Sequence, residues 1–185
     1  MDSQMMHEAL PQYIQAMLVT LKLASAGILL ALIIGLVSSF IIYFKVPIFR
    51  QLASAYTELS RNTPLLIQLF FLYYGLPRIG IQLDKETVGV IGLAFLGGGY
   101  MSEAFRGGFE SVAMIQVESG RALGLTRLQL ARFIIFPQGL ANSVPAVGAN
   151  ALFLLKETSV FSAIAIMDLT NVTRDLIGMY YLTRE

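Results

Sequence analysis

The chain has no cysteine, no tryptophan and a single histidine, and only 14% of its 185 residues are Asp, Glu, Lys or Arg. Without thiols there can be neither a disulfide frame nor a thiolate metal site. The lone His7 sits in a polar N-terminal segment and is read as a solvated residue, so no metal centre is expected. A soluble domain carries roughly a quarter charged residues, and this one falls well short. The net charge of +1 is too small to argue for nucleic acid or a strongly anionic partner. Catalytic signatures are missing too. There is no G-x-x-x-x-G-K-[ST] phosphate loop, G-x-S-x-G elbow or H-E-x-x-H pair. The chain is not expected to hydrolyse ATP or act as an enzyme alone, or to hold a cofactor.

What is present is apolar surface: 56% hydrophobic residues and a mean hydropathy of +0.68. Leu23 to Phe44 is 22 residues without a charge, about 33 Å as a helix and enough to cross a bilayer core. It is too long for a signal-peptide core, and only Lys22 precedes it as a cation, so a permanent span is expected. Gly27, Ala31, Gly35 and Ser39 recur every fourth residue and make a small-residue stripe for helix packing. A second span is expected from Pro47 to about Leu76, bent at Pro64. Within it, Glu58 and Arg61 stand three apart, either as an intramembrane ion pair or as separate interfacial charges.

A third span, Val88 to Phe105, is rich in glycine, with Glu103 and Arg106 toward its end. A fourth, Leu140 to Leu155, carries Asn142, Pro145 and Asn150 and is expected inside the bundle. Val160 to Met167 is too short to span and is read as re-entrant or buried. Residues 168–185 are too polar to cross. The reading is an all-α membrane protein, a single transmembrane domain over 1–185 with about four spans. Cations set its orientation: six lie in the segments after spans one and three, two in the segment after span two. By the positive-inside rule the N-terminus is outside and residues 107–139 are cytoplasmic.

That cytoplasmic segment contains ESGRALGLTRLQLARFIIFP (118–137). Gly124 suits the left-handed cap of one short helix, Thr126 with Gln129 forms a capping box for the next, and Pro137 is expected to stop or re-aim the chain. Glu118, Gly124, Ile134 and Pro137 match the spacing of the EAA loop of ABC-importer permeases. Ser119 and Gly120 stand where that loop has alanines, and Phe136 where it has leucine. RNTPLLIQLFFLYYGLP (61–77), GYMSEAFRGGFESV (99–112) and KETSVFSAIAIMDL (156–169) also resemble the polar amino-acid permeases of that family, in the same order.

The resemblance implies a type I importer permease bundle in the bacterial inner membrane, with a fifth core helix missing at the C-terminus of this chain; truncation is the favoured reading. It implies a second permease subunit, identical or related, two ATP-binding subunits holding ATP and magnesium, and an extracytoplasmic solute-binding protein. Glu118, Ser119, Gly120, Ala122, Leu123, Gly124, Ile134 and Pro137 would then couple the chain to the ATPase, with Glu118 hydrogen-bonding the loop ends.

A zwitterionic amino acid needs both charges met in low dielectric. Arg106 is a candidate for its carboxylate, Glu157 for its ammonium, and Ser102 and Glu103 complete the proposed path. Alternatively Arg106 is only a positive-inside flank and Lys156–Glu157 a local pair. A permease for another small solute, or a non-conducting scaffold that docks a cytoplasmic partner, are the competing functions. A proton-coupled transporter would show inverted repeats, and none is visible.

Overall fold

The computed structural model describes residues 3–180, and among them every regular element is helical. His7 keeps only its backbone assignment; its side chain lies outside the described residues. Helix α1 runs Ser3–Tyr43, α2 Phe49–Asn62, α3 Leu65–Phe70, α4 Lys85–Glu110, α5 Met114–Ala122, α6 Arg127–Leu130, α7 Phe136–Glu157 and α8 Leu169–Tyr180. Among the described residues three stretches are long and apolar enough to cross a membrane: Ala9–Tyr43, Lys85–Glu110 and Arg127–Ile164. A shorter apolar helix covers Leu65–Ile79. The chain packs as two units, one holding Thr63–Ala94 with both ends of the chain, the other Leu30–Asn62 with Phe95–Leu152.

In the first unit α1 begins some twenty residues before the expected span. The reason is tertiary. Ala16 packs into a cluster with Val172 and Leu176 of α8, and Thr20 Oγ1 accepts the Leu169 N–H at 3.1 Å. Buried Asp168 caps the same helix by accepting the Asn171 N–H at 3.0 Å. The described part of α8 is 12 residues long, about 18 Å. The apolar Val160–Met167 stretch begins within a 3-10 turn over Thr158–Ile164; Phe161 and Ile164 are wholly enclosed, while Met167 is exposed. At the start of α4, Asp84 accepts the Thr87 hydroxyl at 2.6 Å and the Thr87 N–H at 3.0 Å. Those bonds hold its carboxyl below the usual carboxylate range.

The expected second span is two helices. Pro64 sits extended (φ −57°, ψ 142°), and proline keeps the residue before it out of the helical region, so α2 ends at Asn62 and α3 restarts at Leu65. Beyond α3 the backbone widens to a π turn at Phe71–Gly75 and tightens to a 3-10 turn at Leu76–Ile79. Pro137, by contrast, neither stops nor re-aims its helix. Ala131–Ile135 form a π turn immediately before α7. That wider turn absorbs the missing proline N–H and the ring's clash with the carbonyl four residues back.

In the second unit the small-residue stripe does what its spacing suggested. A Cβ on Gly35 would meet the backbone of Met101 and Ser102, so α1 rests directly on α4, with Ala31 and Ser39 fully buried. Gly98 and Gly99 similarly admit Tyr56 and Ser60 of α2, and the Tyr56 hydroxyl donates to Phe95 O at 2.8 Å.

Further along α4, a Cβ on Gly108 would strike Gly139 O and come within 3.0 Å of Ser143 N, whereas one on Gly107 would meet nothing within 4 Å. Alanine substitutions at these neighbouring glycines should therefore have opposite signs. Gly108→Ala is expected to destabilise by about 1–3 kcal/mol through overpacking against backbone. Gly107→Ala should be neutral or stabilising by up to about 1 kcal/mol, from helix propensity. Thermal unfolding in detergent measures both, and equal shifts would refute the close α4–α7 approach.

Candidate functional site

Two features stand out in the second unit, a polar cavity and a rigid elbow. The cavity has a volume of about 770 Å³ and is walled by the end of α1, α2 and α4. Each wall is a helical stripe. Arg50, Ser54, Thr57, Glu58 and Arg61 recur at three- and four-residue steps on α2, and Tyr100, Glu103, Arg106 and Glu110 on α4. Within an otherwise apolar bundle these stripes face one another across the cavity.

Glu103 is the hub of the charges. The Arg106 guanidinium donates Nε and Nη2 to its two oxygens and Nη1 to Glu110 Oε1 at 2.6 Å. Arg61 Nη1 approaches the same Glu103 carboxylate at 3.8 Å and lies over the Tyr100 ring, 5.5 Å from its centroid. Of the two alternatives for Glu58 and Arg61, the ion pair between them does not form: Arg61 pairs with Glu103 instead. Across the cavity Glu103 offers Arg61 a better partner than its own helix does, and Glu58 stays on the cavity wall. Lys45 and Arg50 add two more cations.

Arg106 is thus no empty fork but one held by carboxylates three residues before and four after it. Ser102 does not line the cavity. It is wholly buried, its hydroxyl lacks a hydrogen-bond partner, and it lies where Gly35 of α1 approaches. One turn from Arg106 still leaves a rotation of about 40°, enough to point it away from the cavity. Glu157, half-buried at the end of α7, belongs to the first unit.

The elbow is α5, a corner and α6. Gly124 has φ +81°. The Gly124 N–H donates to Arg121 O at 2.9 Å and the Leu125 N–H to Gly120 O at 3.0 Å, the paired bonds of a Schellman cap. Thr126 Oγ1 accepts the Gln129 N–H at 3.3 Å, and Gln129 Oε1 accepts the Thr126 N–H at 2.8 Å, the expected capping box. Gly120 leaves room for Leu130, Ile134 and Leu125 to close on α5. Leu123 and Leu128 are 82% and 76% exposed, an apolar tip. Ser119 and Ala122 are exposed on α5, and Pro137 at the start of α7. Glu118 is exposed, and among the described residues its carboxylate accepts no hydrogen bond; the cap and the box close the loop instead.

A family described as the binding-protein-dependent transport system inner membrane component matches residues 27–180. The chain belongs to this family. It is 37% identical over 171 residues to the probable amino-acid permease protein YxeN of Bacillus subtilis (strain 168), covering 91% of this chain and 76% of that protein. To the glutamine transport system permease protein GlnP of Escherichia coli (strain K12) it is 31% identical over 172 residues, 92% and 78% of the two chains. A crystal structure of an amino acid ABC transporter with histidines superposes with a TM-score of 0.92 at 32% identity, covering 100% of this chain and 86% of that one. An inward-facing MetNI methionine ABC transporter has a TM-score of 0.80 at 17% identity and shows the shared fold. The chain is a multi-pass inner-membrane permease subunit of an ABC transport system.

The permease's cavity cations Lys45 and Arg50, its aromatic Tyr100 and its buried Thr57 escaped sequence reasoning. The three- and four-residue spacing of Tyr100, Glu103, Arg106 and Glu110 was the available signal. It showed one polar face on a glycine-rich helix, but not which helix faced it.

Proposed function

We propose that this permease forms the translocation path for a polar amino acid, driven by ATP hydrolysis on separate subunits. The observation that carries this reading is the polar cavity between α2 and α4, with both signs of charge on its walls. Such a cavity suits a zwitterion, and the relatives named as amino-acid and glutamine permeases support that solute class. Arg106 takes the substrate carboxylate after exchanging one of its present carboxylate partners; Glu157, in the first unit, is proposed separately as a carboxylate that the solute's ammonium meets along the path. Residues 107–139 face the cytoplasm and seat the elbow in a groove of the ATPase. Leu123 and Leu128 supply its apolar contact, and Gly120, Gly124 and Ile134 supply its shape. Two permease chains, two ATP-binding subunits with ATP and magnesium, and a solute-binding protein complete the assembly.

Reconstitution with the partner ATPase and binding protein tests the function directly. ATP-dependent uptake of one or more polar amino acids from a panel is expected. Uptake of a different solute class only, or of none by an intact assembly, would reject the reading. Sidedness is tested separately, helped by the absence of native cysteines. A cysteine at Gln129 should react only with reagent on the cytoplasmic side, and one at Asp84 only from outside; the reverse pattern would overturn the orientation.

A further inference from the structure

Beneath the elbow lies a second cavity of about 430 Å³, which shares Tyr43, Lys45 and Glu110 with the polar cavity and is otherwise lined mainly by the elbow. Its walls come from the ends of α1 and α4, from α5 and from α6. Lys45, Arg121 and Arg127 converge on it, while Val117 and Leu130 give it an apolar floor. The one carboxylate on its rim, Glu110, is already held by Arg106 at 2.6 Å. Among the described residues no ion pair is formed by any of the three cations. The cavity therefore offers three positive charges above an apolar base, with no counter-charge to spare.

Its depth matters as much as its charge. α1 ends at Tyr43 and α4 at Glu110, so the pocket lies where two spans leave the membrane. Tyr43 and Phe44 line it, and aromatic rings concentrate at that level of a bilayer. A ligand here needs an anionic head and an apolar body. Basic pockets at the ends of transmembrane helices meet that description with phospholipid headgroups.

We propose that the permease binds an anionic phospholipid in this cavity, its phosphate against Lys45, Arg121 and Arg127 and its acyl chains along Val117 and Leu130. A lipid held there touches α1, α4 and the elbow at once, and so braces the corner against the spans. An acidic segment of a partner protein has the charge but not the apolar body that the floor requires.

The test uses the permease assembled with its ATPase in nanodiscs of equal phosphatidylglycerol and phosphatidylcholine. The lipids retained after gentle detergent extraction are counted by native mass spectrometry, a readout that depends neither on sidedness nor on transport. Wild type should retain phosphatidylglycerol over phosphatidylcholine by on the order of ten-fold. The triple variant Lys45→Gln, Arg121→Gln, Arg127→Gln should fall to the bulk ratio. Arg132→Gln, at a cation stacked on Phe133 outside the cavity, should retain the enrichment. No enrichment in wild type would overturn the proposal, as would undiminished enrichment in the triple variant. Loss of the ATPase from the triple variant with its lipid retained would do so too, by assigning the three cations to protein docking.

Discussion

Gly124→Val is expected to abolish ATP-driven uptake, or to reduce it by at least about ten-fold, while leaving the transmembrane bundle folded. The residue stands at φ +81°, and a Cβ built there meets no atom within 4 Å. Steric crowding from the surroundings is therefore absent, and the whole effect comes from the backbone. A left-handed conformation costs an ordinary L-residue about 1–2 kcal/mol, and a β-branched side chain more.

This makes the prediction a series rather than a single point. Asn should be tolerated best because it visits this region readily, Ala should be intermediate, and Val should be worst. Strain in the corner breaks the two cap bonds from Gly124 and Leu125 and lets α5 and α6 change their angle. Measured on assembled complexes, uptake and ATPase stimulation should fall in that order. Equal activity for Asn and Val would show that the corner's angle is irrelevant to coupling.

Arg106→Lys should impair uptake by up to on the order of a hundred-fold, through the loss of as much as about 3 kcal/mol of charge-assisted hydrogen bonding. Lysine keeps the charge but not the planar fork that now serves Glu103 and Glu110 together. If the substrate carboxylate enters by exchange with these residues, removing a competitor helps it. Glu110→Gln should therefore lower the substrate concentration for half-maximal uptake, and Arg106→Lys should raise it. Glu157→Gln should impair uptake by removing a carboxylate proposed for the path in the first unit. All three variants should co-purify with the ATPase, since none lies at the exposed tip of the elbow. Normal transport by Arg106→Lys would reduce Arg106 to a topological flank and leave family membership untouched.

Much of what depends on neighbours along the chain was legible in the sequence. Uncharged length marks a span because the bilayer core is about 30 Å thick and every backbone group in it must be bonded internally. The Gly124 corner, the Thr126–Gln129 box and the every-fourth-residue stripe of α1 involve residues within a few positions, and all three stand in the structure as their spacing implied. Pro64 broke the second span for the same local reason, though the break proved complete rather than a bend.

What only tertiary structure decided was which face meets which. Arg61 pairs with Glu103 because α2 packs at Gly98 and Gly99 of α4, not because of its own helical neighbours. Ser102 is buried against α1 although its spacing from Arg106 suggested a shared face. The start of α1 is helical where α8 covers it, and Pro137 continues a helix because a π turn precedes it. Each of these outcomes rests on contacts between segments far apart in sequence, or on backbone relaxation that no residue pattern encodes. The polar cavity is the sum of such contacts. Its stripes were visible one helix at a time, but only packing set them face to face.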